Sequence, residues 1–119
     1  MKDGLSGSKF EVYNSKSDTI YYYTHQGLGD LISCTPIVNK LSEHFINKKI
    51  LFIVQNLRYK NILKNMIKNQ NVKFYIPKEW EDGKRTDLLG SHLKYFTDKA
   101  HRNNCSLIFS GGKYYYSNP

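Results

Sequence analysis

Hydrophobic residues along this chain fall into two patterns, short apolar runs and longer stretches in which they recur every three or four positions. The short runs are rich in β-branched and aromatic residues and are bounded by turn-forming residues, which predicts strands. The longer stretches predict helices that bury one face. The predicted strands are 19–24, 49–54, 72–76 and 106–109, with a candidate edge strand at 10–13, and the predicted helices are 31–45, 59–67 and 93–102.

The alternation of these elements predicts an α/β fold. We expect a Rossmann-like three-layer sandwich with a mostly parallel sheet of about four to five strands. The run 50–54 is entirely apolar, as expected of a parallel strand that is covered on both faces. We therefore predict that strand 19–24 is central, with 50–54 and then 72–76 on one side and 106–109 on the other.

The first predicted helix carries its apolar residues on one stripe. The stripe comprises Leu31, Cys34, Val38, Leu41 and Phe45, and the polar side comprises Asn39, Lys40, Glu43 and His44. Pro36 is awkward inside such a helix, because it lacks an N–H and crowds the preceding turn. In the alternative, Thr35 caps the helix and Pro36 opens its regular part, which would leave the first turn irregular.

The length of the chain suits one compact domain. We assign residues 19–119 to a single Rossmann-like domain and residues 1–18 to a polar amino-terminal extension, and we expect 78–90 to be a charged loop. No apolar run approaches the roughly 20 residues that a membrane span needs, and residues 1–4 are unlike a signal peptide. The sequence therefore predicts a soluble, cytoplasmic protein without a membrane span.

The chain is basic, with a formal net charge of +8 and a pI near 9.5. Clustered Lys and Arg would indicate a nucleic-acid partner, because they neutralise phosphates. The lysines are instead spread along the chain among many Asn, Ile and Tyr, a bias that an AT-rich coding sequence produces without selection for binding. Tyr21–Tyr23 and Tyr114–Tyr116 could stack on bases, but we expect the first set to pack in its strand. A nucleic-acid partner is therefore not expected.

Several cofactor and metal sites lack their key residues. Ile32 stands where a dinucleotide fingerprint has its third glycine, and the second strand ends in Gln55-Asn56 without an acid for a ribose. Residues 83–86 resemble the end of a P-loop, but Lys78 occupies the place of its first glycine. The histidines and the two cysteines lack metal-ligand spacing, and there is no Asp-x-Asp element. No cofactor or metal is expected, and the cysteines are interpreted as small buried side chains.

A glycine-rich turn between the first strand and its helix is the strongest functional signal. Its sequence is Thr24-His25-Gln26-Gly27-Leu28-Gly29-Asp30, so that a strand, a loop and a helix surround one acid. We expect the glycines to give the backbone conformations that a Cβ would forbid, which lets a ligand approach the unpaired N–H groups of the helix. The turn is therefore a candidate ligand-binding edge.

This turn, the Thr35-Pro36 pair and the strand 49–54 resemble the amino-terminal half of glycosyltransferase family 9, the heptosyltransferase-like enzymes of GT-B fold. In that family a strand ends in a Gly-Asp turn, a helix with a Thr-Pro pair follows, and the next strand begins after a short charged loop. The resemblance covers roughly residues 19–77 and fades beyond Pro77. It implies one half of a GT-B architecture.

The resemblance implies inverting, metal-independent transfer from a nucleotide sugar, with Asp30 as the general base for an acceptor hydroxyl. The residues implied in binding a sugar or glycan acceptor are His25, Gln26, Gly27, Leu28, Gly29 and Thr35. The nucleotide-sugar donor would be a substrate held by a second domain or chain, because these enzymes have two such domains. We therefore expect a fragment, a truncated product or a degenerate domain that does not turn over alone.

Two alternatives remain open from the sequence. Asp30 could simply cap its helix by accepting N–H bonds. The domain could also be a non-catalytic Rossmann-like module that binds a nucleotide, a phosphosugar or a nucleic acid. The position of the Asp30 carboxylate discriminates between them: an open position beside Gly27 and Gly29 favours the transferase, whereas bonds to the N–H groups of its own helix weaken it.

Overall fold

The computed structural model describes residues 8–81 and 89–110, which form five strands and four α-helices. The strands are β1 (Ser8–Val12), β2 (Thr19–Tyr23), β3 (Lys49–Ile53), β4 (Val72–Tyr75) and β5 (Ser106–Ser110). The helices are α1 (Leu28–His44), α2 (Leu57–Leu63), α3 (Lys78–Glu81) and α4 (Leu89–Arg102), and a 3-10 turn (Lys64–Met66) continues α2. The second tyrosine triplet, Tyr114–Tyr116, lies outside the described residues.

The strand order in the sheet is β1-β5-β2-β3-β4. Strand β2 pairs in parallel with β3 and with β5, and β3 pairs in parallel with β4. Of the described strands, only β1, at one edge, runs antiparallel to its neighbour. This confirms the predicted α/β class, the central position of the first predicted strand and the order of its neighbours. The candidate strand at 10–13 lies at Ser8–Val12 and occupies the edge.

The sheet separates two hydrophobic cores, one on each face. Alternate residues of β2 supply both cores: Ile20 and Tyr22 face α1 and α2, whereas Tyr21 and Tyr23 face α3 and α4. All four side chains are buried. On the α1 side the ring of Tyr22 lies 5.5 Å from that of Phe52. The first tyrosine triplet is therefore core, as predicted, and the sheet is covered on both faces.

Helix α1 begins at Leu28 and continues through Pro36, so the alternative start at Thr35 is wrong. Pro36 has no N–H for the carbonyl of Ile32, one turn earlier. The hydroxyl of Thr35 donates a hydrogen bond to that carbonyl at 2.8 Å. The Thr-Pro pair therefore replaces the missing backbone bond with a side-chain bond, and the helix is not interrupted.

The apolar stripe of α1 is confirmed, and its predicted polar side is exposed at Lys40, Glu43 and His44 but not at Asn39. Asn39 is only 8% exposed. Its amide nitrogen donates to the carbonyl of Met66, and its amide oxygen accepts from the N–H of Lys68, both at 2.9 Å. Periodicity assigns a polar residue to the solvent, whereas here the amide finds backbone partners in the segment before β4. Asn39 therefore fixes α1 to that segment.

The segment predicted as a charged loop contains helical residues. Helix α3 occupies Lys78–Glu81 and α4 begins at Leu89, so the prediction of loop for 78–90 is wrong at both ends. Trp80 is 9% exposed, and its ring lies 5.6 Å from that of Phe96 on α4. The buried Trp80 side chain thus packs the short helix α3 against α4. The charged residues around Trp80 are the reason that the sequence pattern predicted a loop there.

Candidate functional site

The glycine-rich turn lies where the winding of the sheet changes direction. From β2 the chain passes through α1 to β3 on one side, while β5 lies on the other side of β2 and is reached through α3 and α4. Helices α1 and α2 cover one face of the sheet, and α3 and α4 cover the other. In open α/β sheets, ligands bind outside the carboxyl ends of the strands at such a switch point. The topology therefore supports the location predicted from the sequence.

Amide side chains hold this turn in place against the neighbouring strand. The Gln26 side chain is 5% exposed, and its nitrogen donates to the carbonyls of Thr24 at 2.9 Å and Ile53 at 3.3 Å. The Gln55 amide, from the loop after β3, donates in turn to the carbonyl of Gln26 at 2.5 Å. The turn is therefore bound to the end of β3 and can present the following residues at a fixed position.

Glycine at position 27 provides space and is not required for an unusual backbone. Gly27 has φ −66° and ψ 146°, an extended conformation that any residue can adopt, so the predicted need for a glycine-only conformation is wrong. A Cβ added at Gly27 would lie 3.1 Å from Oδ2 of Asp30. A Cβ added at Gly29 would meet no atom within 4 Å. Gly27 therefore makes room for the carboxylate, and Gly29 leaves the start of α1 uncovered.

The Asp30 carboxylate lies in the first turn of α1 and remains available to a ligand. Asp30 is half-buried, whereas Gly27 and Gly29 are exposed. Within residues 8–81 and 89–110, its carboxylate accepts no hydrogen bond and forms no ion pair. The N-cap residue is Gly27, and no side chain caps the helix. The described residues therefore provide no N–H bond to the Asp30 carboxylate, and the interpretation of Asp30 as a helix cap is not supported.

The first turn of α1 also keeps unpaired donors. The N–H of Leu31 bonds to the carbonyl of Gly27 at 3.0 Å, but the three preceding N–H groups, of residues 28–30, have no acceptor among the described residues. A helix of this length carries a partial positive charge of about half a unit at its amino end. The carboxylate and the three N–H groups thus form one small polar site, which contains an acceptor and several donors.

The remaining predicted site residues differ in their positions. His25 is half-buried, and its ring lies 6.2 Å from that of Phe109 on β5, so it stands at the switch point between β2 and β5. Leu28 is half-buried at the start of α1. Thr35 is 5% exposed and lies roughly 140° around the helix from Asp30. The fold therefore gathers residues 25–30 into one site, whereas Thr35 acts within α1.

Two polar residues at the carboxyl edge of the sheet were not among the site residues predicted from the sequence. Gln55 contacts the turn directly, as described above, and Arg58 lies in the first turn of α2, which starts from the carboxyl end of β3. The guanidinium of Arg58 lies 5.5 Å from the centre of the Tyr59 ring. The signal that could have found both is their position just after a predicted parallel strand, since the carboxyl ends of parallel strands share one edge.

A separate concavity of about 490 Å³ lies at the opposite edge, near the amino end of β5. Its lining includes Glu11, Tyr13, Lys16, His101 and Cys105. It is remote from the turn because parallel strands place their amino and carboxyl ends at opposite edges. In the part of the chain that the structure describes, no three His, Cys, Asp or Glu side chains converge as metal ligands.

None of the described helices combines the length and the apolar character required to cross a bilayer. Comparison with models of protein families, with curated proteins and with solved structures finds no match to this chain.

Proposed function

We propose that this chain is the acceptor-side half of an inverting, metal-independent glycosyltransferase that uses a nucleotide sugar, with Asp30 as the general base. The observation that carries the proposal is the Asp30 carboxylate, which lies half-buried beside exposed Gly27 without a hydrogen bond to any described residue. It stands at the carboxyl end of the central strand, where an α/β sheet binds ligands. The reaction itself is supplied by the resemblance of residues 19–77 to glycosyltransferase family 9.

In this proposal Asp30 accepts the proton of an acceptor hydroxyl as the oxygen attacks the anomeric carbon of the donor. The bond from that carbon to the diphosphate oxygen breaks, and the nucleoside diphosphate leaves with the electron pair. A carboxylate is a weak base. A weak base is sufficient because the hydroxyl becomes acidic only as its bond to the sugar forms. The unpaired N–H groups of residues 28–30 would orient neighbouring hydroxyl oxygens of the acceptor. The donor would be held by a second domain or chain.

A second candidate function is a non-catalytic module that binds a phosphorylated ligand, and the same unpaired N–H groups support it. A helix amino end attracts an anion by typically 0.3 to 1 kcal/mol. A phosphate there would also approach the carboxylate of Asp30, and two like charges about 5 Å apart repel by about 1 to 3 kcal/mol at effective dielectric constants between those of water and a protein surface. The repulsion equals or exceeds the attraction, which favours a neutral hydroxyl ligand over a phosphate.

Amide chemical shifts of the ¹⁵N-labelled chain distinguish these two functions. We expect millimolar methyl α-mannoside or methyl β-glucoside to shift the signals of residues 27–30, and inorganic phosphate or uridine diphosphate to leave them unchanged. In Asp30→Asn, the response to glycosides should weaken and phosphate should begin to bind, because the repelling charge is gone. Shifts caused by phosphate but by neither glycoside in the unmodified chain would contradict the acceptor proposal and favour the phosphate-binding module.

A further inference from the structure

The net positive charge of this chain comes from one segment, although its lysines are spread along the whole sequence. Residues 44–78 hold eight of the eighteen Lys and Arg residues and none of the ten Asp and Glu residues. The rest of the chain holds ten of each, so the formal charge of +8 belongs entirely to this segment. The interpretation of the lysines as dispersed did not detect this concentration of charge, because it considered the positions of Lys and Arg but not those of Asp and Glu.

The fold places the acid-free segment on one side of the molecule. It comprises β3, α2, the 3-10 turn and β4, and β4 is the edge strand farthest from β1. Three of its exposed cations, Arg58, Lys64 and Lys68, lie between the start of α2 and β4 on the face of the sheet that α1 and α2 cover, and we call this part of the molecule the α2–β4 surface. Lys73 is exposed as well, but it pairs with Leu51 and alternates with Val72 and Phe74, which places it on the opposite face. None of the three cations forms an ion pair with another described residue.

Exposed lysines elsewhere have acidic neighbours that reduce their effective charge. Lys9 lies 3.3 Å from a carboxylate oxygen of Glu11, and Lys94 lies 3.0 Å from one of Asp98. These pairs are solvent-exposed and contribute little to stability, but they cancel charge locally. Among the described residues, the cations of the α2–β4 surface have no such acidic partner, and their positive field therefore extends into solvent.

The residues between these cations indicate the kind of polyanion that fits. Asn61 and Asn65 are exposed on α2 and the 3-10 turn beside Lys64 and Lys68, so the outer face alternates amides with ammonium groups. Both groups donate hydrogen bonds to phosphate oxygens, as is common in protein–DNA contacts. Leu57 is exposed as well, but α2 has only seven residues, which is too short for an apolar stripe that could lie in a membrane interface.

We infer that the α2–β4 surface binds the phosphodiester backbone of a nucleic acid without sequence preference. This inference is independent of the proposed transferase function, because it involves none of residues 25–30. Neutralisation of about three phosphates gives a slope of about −2.7 in log K against log salt on a duplex. Binding should therefore weaken about fortyfold between 50 and 200 mM salt. The shortest dimension of the molecule is 28 Å, which corresponds to about eight base pairs.

The test compares two variants of equal charge on a fluorescein-labelled 16-base-pair duplex, by anisotropy at 50 mM salt. One variant carries Arg58→Gln, Lys64→Gln and Lys68→Gln on the α2–β4 surface. The matched control carries Lys9→Gln, Lys40→Gln and Lys94→Gln, which are equally exposed and remove the same total charge. We expect the first variant to lose affinity at least tenfold and the control less than threefold, with unchanged circular dichroism in both.

An equal loss in the two variants would overturn the inference, because net charge would then explain the binding. The absence of duplex binding by the unmodified chain at 50 mM salt would overturn it as well. Vesicles of phosphatidylserine and phosphatidylcholine test whether the surface binds an anionic lipid instead of a nucleic acid. If the chain sediments with these vesicles, if the Arg58, Lys64 and Lys68 substitutions reduce that sedimentation, and if the duplex is not bound, the assignment to nucleic acid is overturned and the surface binds lipid.

Discussion

Replacing Thr35 with Val should destabilise the protein only while Pro36 is present. Pro36 lies inside α1 and offers no N–H to the carbonyl of Ile32, and the Thr35 hydroxyl donates to that carbonyl at 2.8 Å. Valine retains the shape of threonine but not its hydroxyl. Thr35→Val therefore leaves the Ile32 carbonyl without a donor from the helix, whereas the additional change Pro36→Ala supplies one through the new N–H of residue 36.

The magnitude follows from the burial of the bond. A neutral hydrogen bond contributes about 1 kcal/mol net, and a buried carbonyl left unpaired costs about 1 to 3 kcal/mol. Thr35 is 5% exposed but Ile32 is 36% exposed, so water can partly replace the lost donor. We expect Thr35→Val to cost about 1 kcal/mol. In the Pro36→Ala background the cost should fall to about 0.3 kcal/mol, which leaves a coupling free energy of roughly 0.7 kcal/mol.

Urea unfolding of the four proteins of this cycle measures the coupling, provided that the m value stays constant. Pro36→Ala alone should stabilise the chain by about 1 to 3 kcal/mol, since proline in a helix interior costs about 3 kcal/mol relative to alanine. Ser33→Ala is the matched control. The Ser33 hydroxyl donates to the carbonyl of Gly29, which also has a helical N–H partner, so its loss should cost under about 0.5 kcal/mol. Equal costs of Thr35→Val in both backgrounds would refute the compensation.

Four further variants test the turn and the end of α1. Asp30→Asn should change stability by less than about 1 kcal/mol, the scale of a charge at a helix terminus, but should reduce activity on the order of a hundredfold in a complete transferase. Asp30→Ala should be no less stable than the Asn variant in urea unfolding, because the Asp30 carboxylate forms no capping bond among the described residues. Gly27→Ala should shift the carboxylate by a few tenths of an ångström and weaken the glycoside-induced amide shifts, because its Cβ would lie 3.1 Å from Oδ2. Asn71→Ala should cost about 1 to 3 kcal/mol in urea unfolding, since the amide donates to three carbonyls that end α1 and open β3.

Each of these predictions has its own control. An Asp30→Ala variant more than about 1 kcal/mol less stable than Asp30→Asn would indicate capping, and full activity of Asp30→Asn would remove the general base. Gly29→Ala should retain the glycoside response because a Cβ there meets no atom within 4 Å, so an equal loss in both glycine variants would contradict the steric argument. Asn61→Ala, on an exposed residue, should leave stability within about 0.5 kcal/mol and serves as control for Asn71.

The strand order could be predicted because it depends on patterns that the sequence displays directly. The apolar run of β3 and the tyrosines of β2 require cover on both faces, which only a parallel sheet with helices on both sides provides. The stripe of α1 was visible for the same reason. The burial of Asn39 and Trp80 could not be predicted in this way. It depends on contacts with residues distant in sequence, the carbonyl of Met66 for Asn39 and the ring of Phe96 for Trp80.

The candidate site was located from the sequence but was not explained by it. A strand, a Gly-Asp turn and an apolar helical pattern placed residues 25–30 at the carboxyl edge. The reason for the first glycine lies in a contact with Asp30 across one helical turn, and the conformation at Gly27 is an ordinary one. Thr35 was grouped with the site through the family resemblance, and its hydroxyl instead completes the helix.

The sequence by itself determined the class of fold, the central strand, the buried stripe of α1 and the unequal distribution of charge. These properties follow from the composition and spacing of residues, because burial of apolar side chains is the dominant favourable term in folding. The tertiary structure decided which polar groups are satisfied and which remain available. The partners of Asn39, Gln26 and Thr35 come from other strands, other loops or a different turn of the helix, and the carboxylate of Asp30 is available because no such partner reaches it among the described residues.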